Sequence, residues 1–257
     1  MALWTSMSLS VREAVLDAGR SLGVPEPVAE AFVRLLRPCV YLSPYDELPE
    51  ELKKDARPAA RAVGLAHLPA DMEAPLQLQH VVTIDCAAIP TGVLDIDFPA
   101  DGHLVILAEL GYYPGEGVVI HLPAGAETVE RRCRRDTEPS EPFPLYAVPG
   151  MTQPAFLDWP DVQEAADYAE GDDERAGRVT KLMEAMGDLP EVRWKFDIQL
   201  GGYCRAWHNP VEDRGDVLFV GIPESEVFGG DAITFIAGTR EQIAERRYDE
   251  LEFEVEC

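Results

Sequence analysis

Over the first forty residues, apolar side chains recur every three or four positions, which is the spacing of helices with one buried face. A capping-box pattern begins at Ser10, and Gly23 is placed to end the first helix. Pro25 opens a second helix, which Pro38 closes. We predict that residues 1–40 form a helical cover over a sheet. The positions expected on the buried faces of the two helices are Val11, Ala14, Val15, Ala18, Leu22, Val28, Phe32, Leu35 and Leu36.

Downstream of Leu78 the pattern changes to alternation with many β-branched residues, which is typical of strands. The preceding stretch, Leu42 to Pro75, contains five prolines, which leave room for one short helix near Glu50 to Ala62. A longer helical section is expected from Asp158 to Gly187, as one helix or as two helices broken near Gly171-Asp172-Asp173. The predicted strands are Leu78–Cys86, His103–Glu109, Gly117–Leu122, Leu145–Val148, Asp216–Ile222, Ala232–Ala237 and Leu251–Val255, with a helix at Arg240–Arg247.

Two segments repeat the same order of elements: an apolar strand, an acidic turn and a second apolar strand. They are VVTIDCAAIP…PADGHLVILAE and DVLFVGIPESEVFGGDAITFIAG. Val81–Pro90 parallels Phe219–Val227. Asp101-Gly102 takes the part of Gly230-Asp231. Two related halves would follow from this repeat, and the alternative is chance similarity between two hairpins.

The predicted fold class is therefore α+β, with two related β-rich halves of mostly antiparallel strands and with N-terminal and flanking helices. The length of 257 residues fits one large domain, 1–257, with a substantial core. Its expected parts are the helical cover (1–40), a first β-rich half (about 60–150), a helical insert (about 158–187) and a second β-rich half (190–257).

Charge is the strongest signal in the composition. The chain has 47 acidic and 22 basic residues, which gives a formal net charge of −25 and a pI of about 4.4. Such a surface repels phosphate backbones and anionic lipids, so neither nucleic acid nor a membrane is an expected partner. A basic protein is a compatible partner, and solubility alone is the alternative explanation of the charge.

The chain contains five widely spaced cysteines and no C-x-x-C motif. The odd number and the spacing indicate a reducing compartment rather than a disulfide framework or a zinc site. Met1 to Ser10 lacks the basic and apolar regions of a signal peptide, and no apolar run approaches the length of a transmembrane helix. We therefore expect a cytoplasmic protein.

The stretch Arg193 to Pro210, RWKFDIQLGGYCRAWHNP, combines a strand-like run, the Gly201-Gly202-Tyr203 turn, and then Trp207 and His208. Adjacent glycines after a strand indicate positive φ or a close approach of the backbone to another group. Aromatic side chains at a turn supply contact area at a small entropic cost, which suits recognition. Structural packing is the alternative role.

Catalysis at this turn would need a nucleophile, and the candidate is Cys204, beside Arg205 and near His208. However, the chain has no Gly-x-Ser/Cys-x-Gly elbow here, and acidic surroundings oppose formation of a thiolate. No catalytic residue is predicted for this reason.

No metal or cofactor is predicted either. Asp95, Asp97 and Asp101 are near one another, but the third carboxylate comes two positions late for an EF-hand loop, which also lacks its final Glu. The five histidines do not cluster. Strand alternation is expected to place His80 and Asp85 on opposite faces of one strand.

Taken together, three of these segments resemble the YwqG-like family (DUF1963), in particular its actinobacterial members. They are HVVTIDCAAIP followed by PADGHL, the turn IQLGGY, and the C-terminal run GGDAITFIAGTREQIAERRYDELEFEVEC. The resemblance covers residues 60–257 approximately. It implies two β-rich halves with flanking helices and implies no defined reaction.

The chain departs from the family pattern at two turns. Members usually carry a Gly-Gly-x-Pro turn before the first Ile-Asp strand, where this chain has GLAHLPADMEAP, Gly64 to Pro75. The family has Gln five residues after the tyrosine of the second turn, where this chain has His208. If the two turns frame a binding groove, the first turn lacks its Gly-Gly pair and the second turn has His208 in place of Gln.

Two hypotheses of function follow. The first is a non-enzymatic module that docks a protein, in particular a basic one, through the groove near the Gly201 turn. A bacterial immunity protein that neutralises a toxin is one version of it. The second is a small-molecule-binding protein or hydrolase with a Cys/His/carboxylate cluster near the same turn. The candidate binding residues are Gly201, Gly202, Tyr203, Trp207, His208, Asp85 and Asp231, and the sequence leaves the oligomeric state open.

Overall fold

A computed structural model of the chain describes residues 2–73, 75–111, 115–133, 140–154, 173–192, 197–225, 227–228, 230 and 232–256. The helices in these residues are α1 (Ala2–Leu22), α2 (Glu26–Leu35), α3 (Glu50–Lys53), α4 (Asp173–Gly187) and α5 (Arg240–Ala244). The strands are β1 (Arg37–Ser43), β2 (Pro58–Ala62), β3 (Ala66–Pro69), β4 (Gln79–Asp85), β5 (His103–Glu109), β6 (Glu116–Leu122), β7 (Thr128–Arg131), β8 (Phe143–Thr152), β9 (Ile198–Leu200), β10 (Val217–Ile222), β11 (Ile233–Gly238) and β12 (Glu252–Glu256).

Ten strands form one sheet in the order β12-β11-β10-β9-β1-β8-β2-β4-β5-β6, while β3 and β7 form a separate pair. All of these pairings are antiparallel. The longest central pairing joins β1 to β8, from Arg37 opposite Thr152 to Ser43 opposite Tyr146. The predicted α+β class with mostly antiparallel strands is confirmed.

Four strands flank this central pair on each side. We call β2, β4, β5 and β6 the first meander, and β9, β10, β11 and β12 the second meander. Both contain a register shift at the same place. It lies between His80 and Val82 in β4 and between Leu218 and Val220 in β10.

The hydrogen bonds beside these shifts also match. The Val63 N–H donates to the Val81 carbonyl at 2.9 Å, and the Gly201 N–H donates to the Phe219 carbonyl at 3.2 Å. Val81 and Phe219, which the internal repeat equates, therefore occupy corresponding positions in the two meanders.

The sheet curves until its edge strands β6 and β12 approach each other. A Cβ on Gly115 would lie 2.5 Å from the Phe253 carbonyl oxygen, and one on Gly117 would overlap the Phe253 ring. Only glycine fits so close to the facing strand at these two positions. The concave face encloses the main core, which the strands share with residues of the connections: Ile89, Val93, Ile96, Phe228, Ile243 and Tyr248.

Within the described residues, four smaller apolar clusters lie outside the main core, and one of them consists of Cys39, Tyr41, Leu48 and Val148. The β3–β7 pair packs Leu68 near Val105 and Leu107 of β5. Helices α1, α2 and α4 pack on one another in a second cluster. Cys204, Ala206 and the fully buried Val211 pack against β10 and β11 in a third cluster. Within the described residues, no helix combines the length and the apolar character needed to cross a bilayer.

Two arginines near the C-terminal helix hold the acidic connection between β4 and β5. Arg240 Nη2 lies 3.0 Å from Asp95 Oδ2, and Arg246 Nη2 lies 3.4 Å from Asp97 Oδ1. Both arginines also donate to the main-chain carbonyls of the same aspartates. Two of the three aspartates that resemble a calcium loop, Asp95 and Asp97, therefore join the two meanders.

The clearest error of the sequence prediction concerns strand β2. It lies inside the helix predicted from Glu50 to Ala62, of which only Glu50–Lys53 is helical. Its sequence, PAARA, has weak β propensity, but it pairs with β8 on one side and β4 on the other. Pairing on both edges outweighs local preference. The helix expected before Asp173 lies outside the described residues.

The turn after β2 has the backbone of a Gly-Gly turn without its sequence. Val63 and Gly64 have φ values of +51° and +78°, close to the +63° and +77° of Gly201 and Gly202 after β9. A β-branched residue rarely adopts positive φ, so Val63 is strained. The first turn therefore keeps its conformation although its first glycine is absent.

His80 supports this strained turn. Its Nδ1 lies 2.8 Å from the Val63 carbonyl oxygen, and its Nε2 lies 2.9 Å from Thr83 Oγ1. The neutral tautomer that satisfies both contacts has its hydrogen on Nδ1, which donates to the carbonyl, while Nε2 accepts from the hydroxyl. Burial lowers the pKa of His80 from 6.5 to about 4.

This depressed pKa predicts acid sensitivity. Because His80 takes up a proton in the unfolded chain below pH 6.5 but in the folded protein only near pH 4, its contribution to stability falls with pH across that window. Relative to His80→Gln, which keeps a donor but does not titrate, the wild type should lose about 2 kcal/mol of unfolding free energy between about pH 7 and pH 5.

Urea unfolding at several pH values measures this difference. The exposed His103 offers a matched control, since His103→Gln should unfold with the pH dependence of the wild type. Parallel curves for wild type and His80→Gln would contradict the assignment.

Candidate functional site

Gly201 and Gly202, in the turn after β9, are under different steric constraints. Both have positive φ, but a Cβ on Gly201 would lie 3.2 Å from the Leu94 side chain, whereas one on Gly202 would overlap the Thr152 hydroxyl. The chain passes directly over β8 at Gly202, and only a residue without a side chain allows this approach. The prediction of positive φ and close backbone approach is confirmed here.

Hydrogen bonds from neighbouring strands fix the turn. Gln199 Nε2 donates to the carbonyls of Gly201 at 2.7 Å and Tyr203 at 2.9 Å. The Tyr203 N–H donates to Thr152 Oγ1 at 2.8 Å. The Thr152 hydroxyl donates in turn to the Arg37 carbonyl at 3.3 Å.

Tyr203 itself is buried, and its ring packs against the guanidinium group of Arg37. The guanidinium carbon of Arg37 lies 4.0 Å from the ring centroid of Tyr203, within cation–π range. The tyrosine therefore acts at this site as a platform that is packed into the protein.

Cys204 is bonded to a carboxylate. Its N–H donates to Glu212 Oε1 at 2.8 Å, and its thiol donates to Glu212 Oε2 at 2.9 Å. Burial, and then the Glu212 charge, raise the pKa of the Cys204 thiol. Burial raises the pKa of Glu212 too, while the bonds from Cys204 oppose that shift. The thiol is thus held protonated and is a poor nucleophile.

The turn from Trp207 to Asn209 surrounds a second buried carboxylate, that of Glu256. Glu256 Oε2 accepts from the Trp207 N–H at 2.5 Å, and Oε1 accepts from the N–H groups of His208 at 3.3 Å and Asn209 at 2.8 Å. Consecutive N–H groups around an anion form a nest. This nest fixes the backbone of the turn while the side chains of Trp207 and His208 stay exposed.

A cavity of about 330 Å³ lies beside these residues, between the turn, β1 and the end of α4. Its volume is within the range of small-molecule sites. Tyr203 and Trp207, both predicted as binding residues, contribute to its wall. The lining residues are Tyr41, Thr152, Gln153, Pro154, Gly187, Val192, Gln199, Tyr203, Cys204, Arg205, Ala206 and Trp207.

Asp85 lies elsewhere, in a cavity of about 450 Å³ on the first meander. Its carboxylate accepts from the Ala87 N–H at 3.1 Å, and His103 is its cross-strand neighbour. The expected separation of His80 and Asp85 onto opposite faces is wrong. The register shift brings His80 against Thr83, which lines the same cavity as Asp85. Asp231, the remaining predicted residue, lies outside the described residues.

Four residues essential to the site were not predicted: Thr152, Gln199, Glu212 and Glu256. Gln199 was open to prediction, because a buried amide two residues before a Gly-Gly turn can bond the turn's carbonyls. Thr152 and Glu256 reach the turn only through tertiary structure, from distant strands. Their roles have no signature in the local sequence.

No protein-family model matches the chain, and no curated protein matches it. Among the described residues, no group of three His, Cys, Asp or Glu side chains is arranged to hold a metal ion.

We expect Gly202→Ala to destabilise the protein by about 3 kcal/mol, because positive φ and overlap with Thr152 act together. Gly215 has a φ of +82° and no atom within 4 Å of an added Cβ, so it is the matched control. Gly215→Ala should cost about 1 kcal/mol, from backbone strain alone. Urea unfolding measures both values. Equal costs would mean that the close approach to β8 adds no constraint.

Removing the charge of Glu256 should release the Trp207 turn. Glu256→Gln is expected to lower the unfolding free energy by about 1.5 kcal/mol, since charge-assisted bonds to part-buried N–H groups are replaced by weaker ones. Amide hydrogen exchange at residues 207–209 should rise in this variant. Glu252→Gln, on the same strand but exposed, should leave exchange at these amides unchanged. Unaltered exchange in Glu256→Gln would contradict the role of the nest.

Proposed function

We propose that the protein is a non-enzymatic interaction module that docks a basic protein through the surface around Trp207 and His208. The observation that carries the proposal is an exposed tryptophan on a fixed backbone. Trp207 has 45% of its surface exposed, although the backbone of its turn is held by Glu256.

Exposed tryptophans dominate the binding energy of many interfaces because they bury a large area on association. A turn that is already ordered loses little conformational entropy when a partner binds. Trp207 combines these two properties. Packing within the monomer does not account for the exposed part of its ring.

Acidic side chains near this tryptophan favour a basic partner. Strand β12 lies alongside the segment, with Glu256 at the Trp207 turn and Glu254 paired with Arg214. Glu252 and Asp213 are exposed nearby, together with Arg205 and Arg214, and the whole chain carries a net charge of −25. Complementary charge on a partner would speed association and disfavour acidic competitors. A toxin neutralised by an immunity protein is one partner of this class.

A hydrolase is the less favoured function. It would need Cys204 as a thiolate with a neighbouring base, but the thiol donates to Glu212 and its pKa is raised. His208 presents its N–H to Glu256, and its side chain is exposed. Kinship with the YwqG-like family remains part of the proposal. The matching backbone of the Val63 and Gly201 turns supports it.

Site-directed cross-linking tests the docking proposal. A photo-reactive phenylalanine at position 207, in cells that express the protein naturally, should capture a partner with a high isoelectric point. The same group at Tyr45, which is also 45% exposed but distant in sequence, is the control. Capture of equal intensity at both positions would show that Trp207 is not at an interface.

The captured partner then allows affinity to be measured with purified proteins. Trp207→Ala should weaken binding at least about thirtyfold, as expected for a central aromatic anchor. Tyr45→Ala should bind as the wild type does, and added salt should weaken both. Wild-type affinity in Trp207→Ala would overturn the proposal.

A further inference from the structure

We propose that the cavity of about 450 Å³ on the first meander binds a small zwitterion with an aliphatic body, such as an amino acid with an apolar side chain. Strands β2, β4 and β5 supply one part of its wall, and the β3–β7 pair supplies His67 and Thr128. The volume is within the range of small-molecule sites. This site goes beyond protein docking at Trp207, which lies on the second meander.

Two opposite charges lie on the same face of the sheet in this cavity. Arg61 and Thr83 are cross-strand neighbours, and Asp85 follows Thr83 by two residues, which returns it to the same face. From strand geometry, the Cα atoms of Arg61 and Asp85 are about 8 Å apart. Both side chains are half-buried and line the cavity. A ligand with one charge of each sign can therefore meet both of them.

Each of these charged side chains is held in place by the main chain. Arg61 Nη2 donates to the Leu65 carbonyl at 2.6 Å. Asp85 Oδ1 accepts from the Ala87 N–H at 3.1 Å. Neither bond neutralises a charge. Because a guanidinium has five N–H donors and a carboxylate has two oxygens, both groups keep bonding capacity for a ligand.

The part of the wall formed by β4 suits an ammonium group. The Thr83 hydroxyl donates to His80 Nε2 at 2.9 Å, so its oxygen offers lone pairs to another donor. Asp85, on the same face of the strand, adds the negative charge and a second oxygen, Oδ2. An ammonium group has three donors and no acceptor, which matches a wall of acceptors.

The part of the wall formed by Arg61 suits a carboxylate. Its bond to Leu65 holds the guanidinium beside the start of β3, where His67 also lines the cavity. His67 Nε2 already has the Glu130 carboxylate 3.8 Å away. Arg61 is therefore the group that we assign to the carboxylate of the ligand, since a guanidinium binds a carboxylate with two parallel hydrogen bonds.

The remaining wall determines the body of the ligand. No Phe, Tyr or Trp is among the described residues that line this cavity, so a ring that binds by stacking, such as a nucleobase, has no aromatic platform here. Aliphatic side chains take that place, and an aliphatic body on the ligand would pack against them. They are Pro58, Ala59, Ala60, Leu122, Pro123 and Ala126.

Isothermal titration of the full chain tests the site with three probes that share one aliphatic body. They are L-leucine, isocaproate, which lacks the ammonium group, and isoamylamine, which lacks the carboxylate. L-leucine should bind at least about tenfold more tightly than either of the others, because it alone makes both charge-assisted contacts. Equal affinity for L-leucine and isocaproate would contradict recognition of the ammonium group. Binding of none of the three would overturn the proposal.

Two variants locate the charges of the ligand. Arg61→Gln should weaken L-leucine and isocaproate at least about tenfold and leave isoamylamine unchanged. Asp85→Asn should weaken L-leucine and isoamylamine by a similar factor and leave isocaproate unchanged. A general loss of structure would weaken all three probes alike. Asp85→Asn also keeps an oxygen that can accept from the Ala87 N–H, so its folding should be preserved.

The matched controls are Arg34→Gln and Asp71→Asn, which remove the same charges at exposed positions outside the cavity. Both should bind L-leucine as the wild type does. L-leucine binding that survives Arg61→Gln and Asp85→Asn would place the ligand in another cavity and overturn the site. Such a failure would leave protein docking intact, because cross-linking and partner affinity are measured at Trp207.

Discussion

The two hydrogen bonds from the Gln199 amide, to the carbonyls of Gly201 and Tyr203, are the interaction on which the site depends. Two consecutive residues with positive φ turn the chain away from β9 and leave carbonyls that water cannot reach. Without a buried donor these groups would cost about 1–3 kcal/mol each. With the donor, the chain leaves the sheet in one direction, and the cavity, the Cys204–Glu212 pair and the Trp207 turn all follow from that direction.

The first meander meets the same requirement with different side chains. In its turn, the Val63 carbonyl accepts a hydrogen bond from His80 of β4. In the second meander, the Gly201 carbonyl accepts one from Gln199 of β9. The backbone is therefore more similar between the halves than the sequence is. This explains how Val63 can occupy a position that favours glycine: the surrounding bonds hold the strained conformation, as is common where structure over-determines a residue.

Much of the fold could be predicted from the sequence, and the errors have physical causes. Strands β4, β5, β6, β10, β11 and β12 lie close to their predicted positions because alternation is a property of each strand alone. Strands β1, β2, β3 and β7 were not predicted, because β1, β2 and β3 contain proline, β7 has only four residues, and Pro58–Ala62 contains no β-branched residue. For the site, the Gly-Gly turn was predicted from local rules. Its partners Thr152 and Glu256 could not be, since nothing near them in the chain indicates what they bond.

Net charge describes the surface as a whole and does not describe each site on it. A value of −25 argues against nucleic acid and anionic lipid as partners, because those contacts are extended and the charge acts over the whole surface. The electrostatic potential in a cavity is set by the few charged groups around it, because charges farther away than a Debye length of about 8 Å are screened. Arg205 lines the cavity beside Trp207, and the Arg37 guanidinium lies over the Tyr203 ring that forms part of its wall. The charge at one cavity can therefore differ in sign from the charge of the protein as a whole.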